Sequence, residues 1–107
     1  MTVATRDRVD TRGEALDRLR AHAPAIVALG ATALFLFGSA ARDELTPESD
    51  IDLFIDYDPN STFGFVELFR LRDVFEEMLG RKVDLTSRDG LHPRLRARIE
   101  RSSMKVF

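Results

Sequence analysis

The sequence predicts a mixed α/β (α+β) fold, a small sheet with helices packed on it. Three observations carry this expectation. Short apolar runs lie at 33–37 ("ALFLF"), 51–56 ("IDLFID") and 82–87 ("KVDLTS"). A wide apolar helical face separates the second run from the third, which suits a crossover between parallel strands. Only a short turn cluster, "LTPES", separates the first two, which suits antiparallel neighbours.

Each element has its own local reason. Residues 1–10 are polar and read as a flexible N-terminus ahead of a single domain at 11–107. Thr11 followed by Glu14 is a capping-box pattern, and Ala15, Leu16, Leu19 and Ala23 recur at helical spacing. Pro24 breaks or restarts that helix, and Gly30 is a helix stop. Residues 39–44 begin a short helix. Phe65, Leu68, Phe69, Leu71, Val74, Phe75, Met78 and Leu79 form the wide helical face, which Gly80 ends. This Phe-rich helix is mainly core, with part of it available as an interface. A last helix covers 92–101, with Leu91, Leu95 and Ile99 along one side.

Composition excludes several classes. The 107 residues fit one domain. There is no cysteine, hence no disulfide framework, and two histidines alone argue against structural zinc. The N-terminus lacks the apolar core of a signal peptide, and the longest apolar stretch is too short to span a membrane, so a cytoplasmic location is expected. A net charge of −2 gives no pointer to nucleic acid. The charge is uneven: seven acids and one base between Arg42 and Asp58, five bases and one acid between Arg94 and Lys105. The basic stripe Arg94, Arg96, Arg98, Arg101 reads as a solvated helix face, or as a contact to an acidic partner or a triphosphate.

The chemistry concentrates in "LFGSAARDELTPESDIDLFID". Asp50 and Asp52 are two residues apart, so on a strand they share a face while Ile51, Leu53 and Ile55 point to the core. Asp84 has the same relation to Val83 and Leu85. If these strands pair, three carboxylates converge. Such a group repels itself unless a hard divalent cation lies between the charges, and magnesium is the usual choice beside phosphates. Three carboxylates suffice for two ions roughly 3.5–4 Å apart, the arrangement that serves in-line phosphoryl displacement. Gly38-Ser39 follows a strand and opens a turn, where backbone N–H groups and the Ser39 hydroxyl can approach a phosphate. Arg42 is either a phosphate or adenine contact or a surface ion pair with Asp43 or Glu44. Asp56 and Asp58 read as a strand end and a solvated loop.

Gly-Ser, ten residues, Asp-x-Asp and a later strand Asp resemble the nucleotidyltransferase superfamily of the DNA polymerase beta fold. "FGSAARDELTPESDIDLFID" and "GRKVDLTSRDGLHPRLRARIERSS" resemble its minimal (MNT) branch. The resemblance spans roughly residues 12 to 106. It implies a polymerase-beta-like fold and transfer of AMP from ATP, with magnesium, to a tyrosine of a HEPN-domain toxin encoded nearby, the chain acting as its antitoxin in a hetero-oligomer. It carries Gly38 and Ser39 onto the phosphate positions, Asp50 and Asp52 onto the metal ligands, and Asp84 onto the carboxylate that activates the hydroxyl. Rival readings are an antitoxin that acts by occlusion alone and a small-molecule nucleotidyltransferase. The size of the chain, with no room for an acceptor domain, favours a protein acceptor. One departure is visible: Asp43 stands where family members often carry Gly.

Overall fold

A computed structural model describes residues 7–107. The elements run α1 (Arg12–Ala21), α2 (Ala23–Ala28), β1 (Ala31–Phe37), α3 (Gly38–Ala41), β2 (Ile51–Tyr57), α4 (Phe65–Leu79), β3 (Val83–Ser87), a 3₁₀ turn at Arg88–Gly90, α5 (Pro93–Ser102) and β4 (Met104–Lys105). The sheet order is β3-β2-β1-β4. β1 pairs antiparallel with β2 and β4, and β2 pairs parallel with β3. The short link and the helical crossover therefore give the pairings their lengths predict.

Local signals act where expected. Thr11 accepts the Glu14 N–H while the Glu14 carboxylate accepts the Thr11 N–H, closing the capping box of α1. Pro24 restarts the chain as α2, since a proline in the first turn loses no helical hydrogen bond. Gly80 ends α4 in the left-handed conformation, φ +66°.

The two sheet faces differ. On the inner face Leu34, Leu36, Ile51, Leu53 and Ile55 are fully buried, in one core with Leu16 and Leu19 of α1 and Leu71, Phe75 and Leu79 of α4. The opposite face carries Phe35, Phe37, Asp52, Phe54, Asp56 and Asp84. Phe54 is fully buried there as well, stacked on Phe35 at 4.7 Å between ring centroids, with the Arg88 guanidinium 5.1 Å above it.

Two findings depart from the sequence reading. The start of the chain was expected to be flexible as far as residue 10. Residues 1–6 lie outside the described residues, but Val9 is fully buried and donates its N–H to the Leu79 carbonyl at 3.0 Å. One apolar residue suffices: Val9 joins the main buried core, and the chain passes close to Gly80, where a side chain would meet the Arg8 backbone. The C-terminus adds a fourth strand. Met104 and Lys105 pair with Leu36 and Phe35, the Val106 N–H donates to the Leu34 carbonyl at 2.8 Å, and the Leu34 N–H donates to the Phe107 carbonyl at 3.1 Å. No helix among the described residues is long and apolar enough to cross a membrane.

Candidate active site

The sheet register brings two of the three expected carboxylates together. Asp52 and Asp84 are direct partners across the parallel β2–β3 pair, and Phe37 lies opposite Asp52 on β1. Asp50 departs from expectation: β2 begins at Ile51, so Asp50 is the last residue of the loop and is exposed. The ladder starts one residue later because the Ile51 N–H is the first to pair across, donating to the Lys82 carbonyl at 2.9 Å. Asp50 still lies near enough for its charge to act on Asp52.

Asp52 is the electrostatic centre. Its pKa is raised from 3.8 to about 6, first by burial, then by the charges of Asp84 and Asp50, with Arg42 opposing. No hydrogen bond from another described residue reaches the side chains of Asp50, Asp52 or Asp84. Among the described residues no group of three or more acidic or histidine side chains is placed to hold a metal ion. The donor set nonetheless fits a hard divalent cation: carboxylate oxygens only, two fixed side by side by the sheet, and a repulsion that a cation would remove.

Gly38 follows β1 with φ +70°. A Cβ on Gly38 would strike Oδ2 of Asp52. The sequence reading assigned this glycine to phosphate approach; the structure adds a nearer reason, since the Asp52 carboxylate already occupies the space. Ser39 is half-buried beside it in α3, so the turn and the carboxylates form one corner.

A nucleotidyltransferase domain model matches residues 15–106. A Methanocaldococcus jannaschii protein described as a "putative protein adenylyltransferase" is 42% identical over 72 residues, 66% of this chain and 72% of the relative. The solved structure of a "putative minimal nucleotidyltransferase" aligns with TM-score 0.66 at 35% identity, covering 83% of this chain and 93% of that one. The chain belongs to the minimal nucleotidyltransferases. The fold also matches an antitoxin complex, a tri-AMPylated Shewanella oneidensis HEPN toxin with its MNT antitoxin, at TM-score 0.64 and 14% identity, over 91% of this chain and 72% of that one.

In this minimal nucleotidyltransferase Arg42 pairs with Glu44 at 2.9 Å, not with Asp43. Both side chains are more than half exposed, so the pair is weak and leaves Arg42 free to turn toward a ligand. Asp43 has φ +58°, the left-handed conformation that the common glycine would adopt freely. Its carboxylate turns away from the site and accepts the Arg12 N–H at 2.9 Å, capping α1 from a distance of 31 residues. The substitution thus keeps the turn and spends its charge on a helix N-terminus.

Two arginines that the sequence reading passed over hold the site's frame. Arg88 grips Asp56 through two bonds of 2.8 and 2.9 Å and Glu100 through one of 2.7 Å, tying β2 to α5 across Phe35 and Phe54. Asp56 is therefore a structural anchor and not a solvated strand end. Arg81, buried just ahead of β3, donates to the carbonyls of Val9, Thr46 and Ser49. Neither arginine had a periodic signal, since their partners lie far off in sequence. From the basic stripe, Arg96 pairs with Asp89 and Glu100.

Proposed function

We propose that this minimal nucleotidyltransferase transfers AMP from ATP to a tyrosine hydroxyl of a HEPN-domain toxin and so acts as its antitoxin, in the cytoplasm. The observation that carries the reading is the Asp52–Asp84 pair, locked side by side by the sheet next to the Gly38-Ser39 turn. The relative described as an adenylyltransferase supports the acceptor class, and the AMPylated toxin complex supports the partner.

Asp50 and Asp52, with Asp84, would hold magnesium, as one ion or two. Bound there, the metal supplies charge neutralisation for the triphosphate and the leaving pyrophosphate. The backbone N–H groups after Gly38 and the Ser39 hydroxyl bind the β- and γ-phosphates. Arg42, released from Glu44, adds a cation at the rim. Asp84, exposed on an edge strand, is reachable by an acceptor and orients its hydroxyl or takes its proton. The hydroxyl oxygen bonds to the α-phosphorus as the bond to the bridging oxygen breaks, and pyrophosphate leaves.

The exposed Phe65, Val66 and Phe69 of α4 favour a protein partner, because monomeric surfaces seldom leave such a group uncovered. The test is label transfer from α-labelled ATP with magnesium to a purified HEPN-domain protein of the same host. A labelled band with wild type that Asp50→Asn/Asp52→Asn lacks is the expected result. Neutralisation by the double variant without any label would instead favour occlusion, and label on small hydroxyl acceptors alone would favour the small-molecule reading.

A further inference from the structure

Arg81 is the one buried charged residue among those described, and it lies beside the loop that ends in Asp50. Its side chain is 3% exposed. Nε donates to the Val9 carbonyl at 2.7 Å, and Nη1 donates to the carbonyls of Thr46 and Ser49, both at 2.8 Å. Nη2 faces the Asp10 carboxylate at 3.5 Å, on an aspartate that is largely exposed. A buried guanidinium is costly unless its donors are used, and here they are used mainly on backbone oxygens of two distant segments.

The acceptors explain the location. Ser49 immediately precedes Asp50. The loop is cross-braced within itself: the Ser49 hydroxyl accepts the Thr46 N–H and bonds the Thr46 hydroxyl, both at 3.0 Å. Ile51, just after Asp50, is fixed by its bond to Lys82, the residue next to Arg81. The backbone is thus held on both sides of Asp50 by residues 81 and 82. Asp52 and Asp84 receive their positions from the sheet register. Asp50, outside the strand, has only this brace.

We infer that Arg81 is a positioning residue for the metal site, which fixes the loop backbone so that Asp50 reaches the cation shared with Asp52 and Asp84. The inference rests on the metal role proposed above for those aspartates. Electrostatics gives it a distinctive sign. Removing a nearby positive charge should, by charge alone, tighten binding of a cation. A weaker site after loss of Arg81 therefore reports lost position.

The experiment measures Mn²⁺ binding to the purified full chain by electron paramagnetic resonance and calorimetry, without nucleotide, well below the unfolding midpoint. Arg81→Met keeps length and removes the donors; Arg81→Lys keeps the charge and loses the fork; Ser49→Ala removes the inner brace and leaves Arg81 intact. The expected result is a dissociation constant raised about 10-fold by Arg81→Met, the lower end for residues that orient metal ligands, with smaller rises for the other two. If Arg81→Met does not fold, Arg81→Lys and Ser49→Ala carry the test. Unchanged or tighter Mn²⁺ binding in the folded variants, while Asp50→Asn weakens it, overturns the role of Arg81 alone. Unchanged binding in Asp50→Asn overturns the metal role of Asp50 and this inference with it.

Discussion

Strand β2 carries two carboxylates on one face, four residues apart, and the protein treats them oppositely. At its C-terminal end Asp56 is gripped by Arg88 through paired hydrogen bonds, which hold its carboxyl below the usual carboxylate range. At its N-terminal end Asp52 faces Asp84 and Asp50, and its pKa is pushed up to about 6. The chain balances one carboxylate with its own cation and leaves the other beside two like charges. Asp56 stabilises the fold. Asp52 costs stability as the chain stands, an arrangement that makes sense when an external cation completes it.

The largest effect should come from crowding the unbalanced end. Gly38→Ala drives a Cβ into the Asp52 carboxylate at a left-handed backbone position. Nucleotidyl transfer should fall at least about 100-fold, in the range of losing a key transition-state contact, with a lower unfolding temperature. Steady-state label transfer and calorimetry on one preparation measure both.

Breaking the balanced end should reverse that emphasis. Arg88→Met leaves Asp56 without its cation, leaves Glu100 only the more distant Arg96, and takes the guanidinium off Phe54. The loss at Asp56 and Phe54 should cost about 2 kcal/mol at neutral pH. Asp56 has a lowered pKa, so its contribution is present above the ordinary carboxylate pKa and is lost as pH falls through the folded value. The gap between wild type and Arg88→Met should therefore shrink in acid. Urea unfolding from pH 3 to 7 reads this directly.

The smallest effect sharpens the contrast. Asp52 has a raised pKa, so metal-free wild type is favoured below about pH 4 and loses stability as pH rises through about 6. Asp52→Asn should remove that slope. In chelator at pH 7 it should be more stable than wild type by about 1 kcal/mol, after discounting for solvent screening at a half-exposed group. Opposite pH slopes for the two variants would establish the comparison; parallel slopes would sink it.

Much of this was legible in residue order. The Thr11–Glu14 cap, the Pro24 restart and the Gly80 stop are local chemistry, decided within a few residues. The alternation of Ile51, Leu53 and Ile55 with Asp52 assigned the two sheet faces. Other features carried no such signal. Val9 looked like part of a polar tail, and only the folded core and its bond to Leu79 make it core. Asp56 looked like a strand end until Arg88, 32 residues on, reached it. Asp43 looked like a possible fault in the turn, and its carboxylate found the N-terminus of α1.

The sequence by itself determined the main helices and the first three strands, the family and which carboxylates could matter, because periodicity, caps and Asp-x-Asp spacing act over short range; β4 carried no such signal. Tertiary structure alone decided which carboxylates are balanced. Parallel pairing set Asp84 beside Asp52, and the 3₁₀ turn after β3 delivered Arg88 to Asp56. Charge balance depends on distances of a few ångströms between residues some 30 positions apart, and those distances exist only once the sheet has closed.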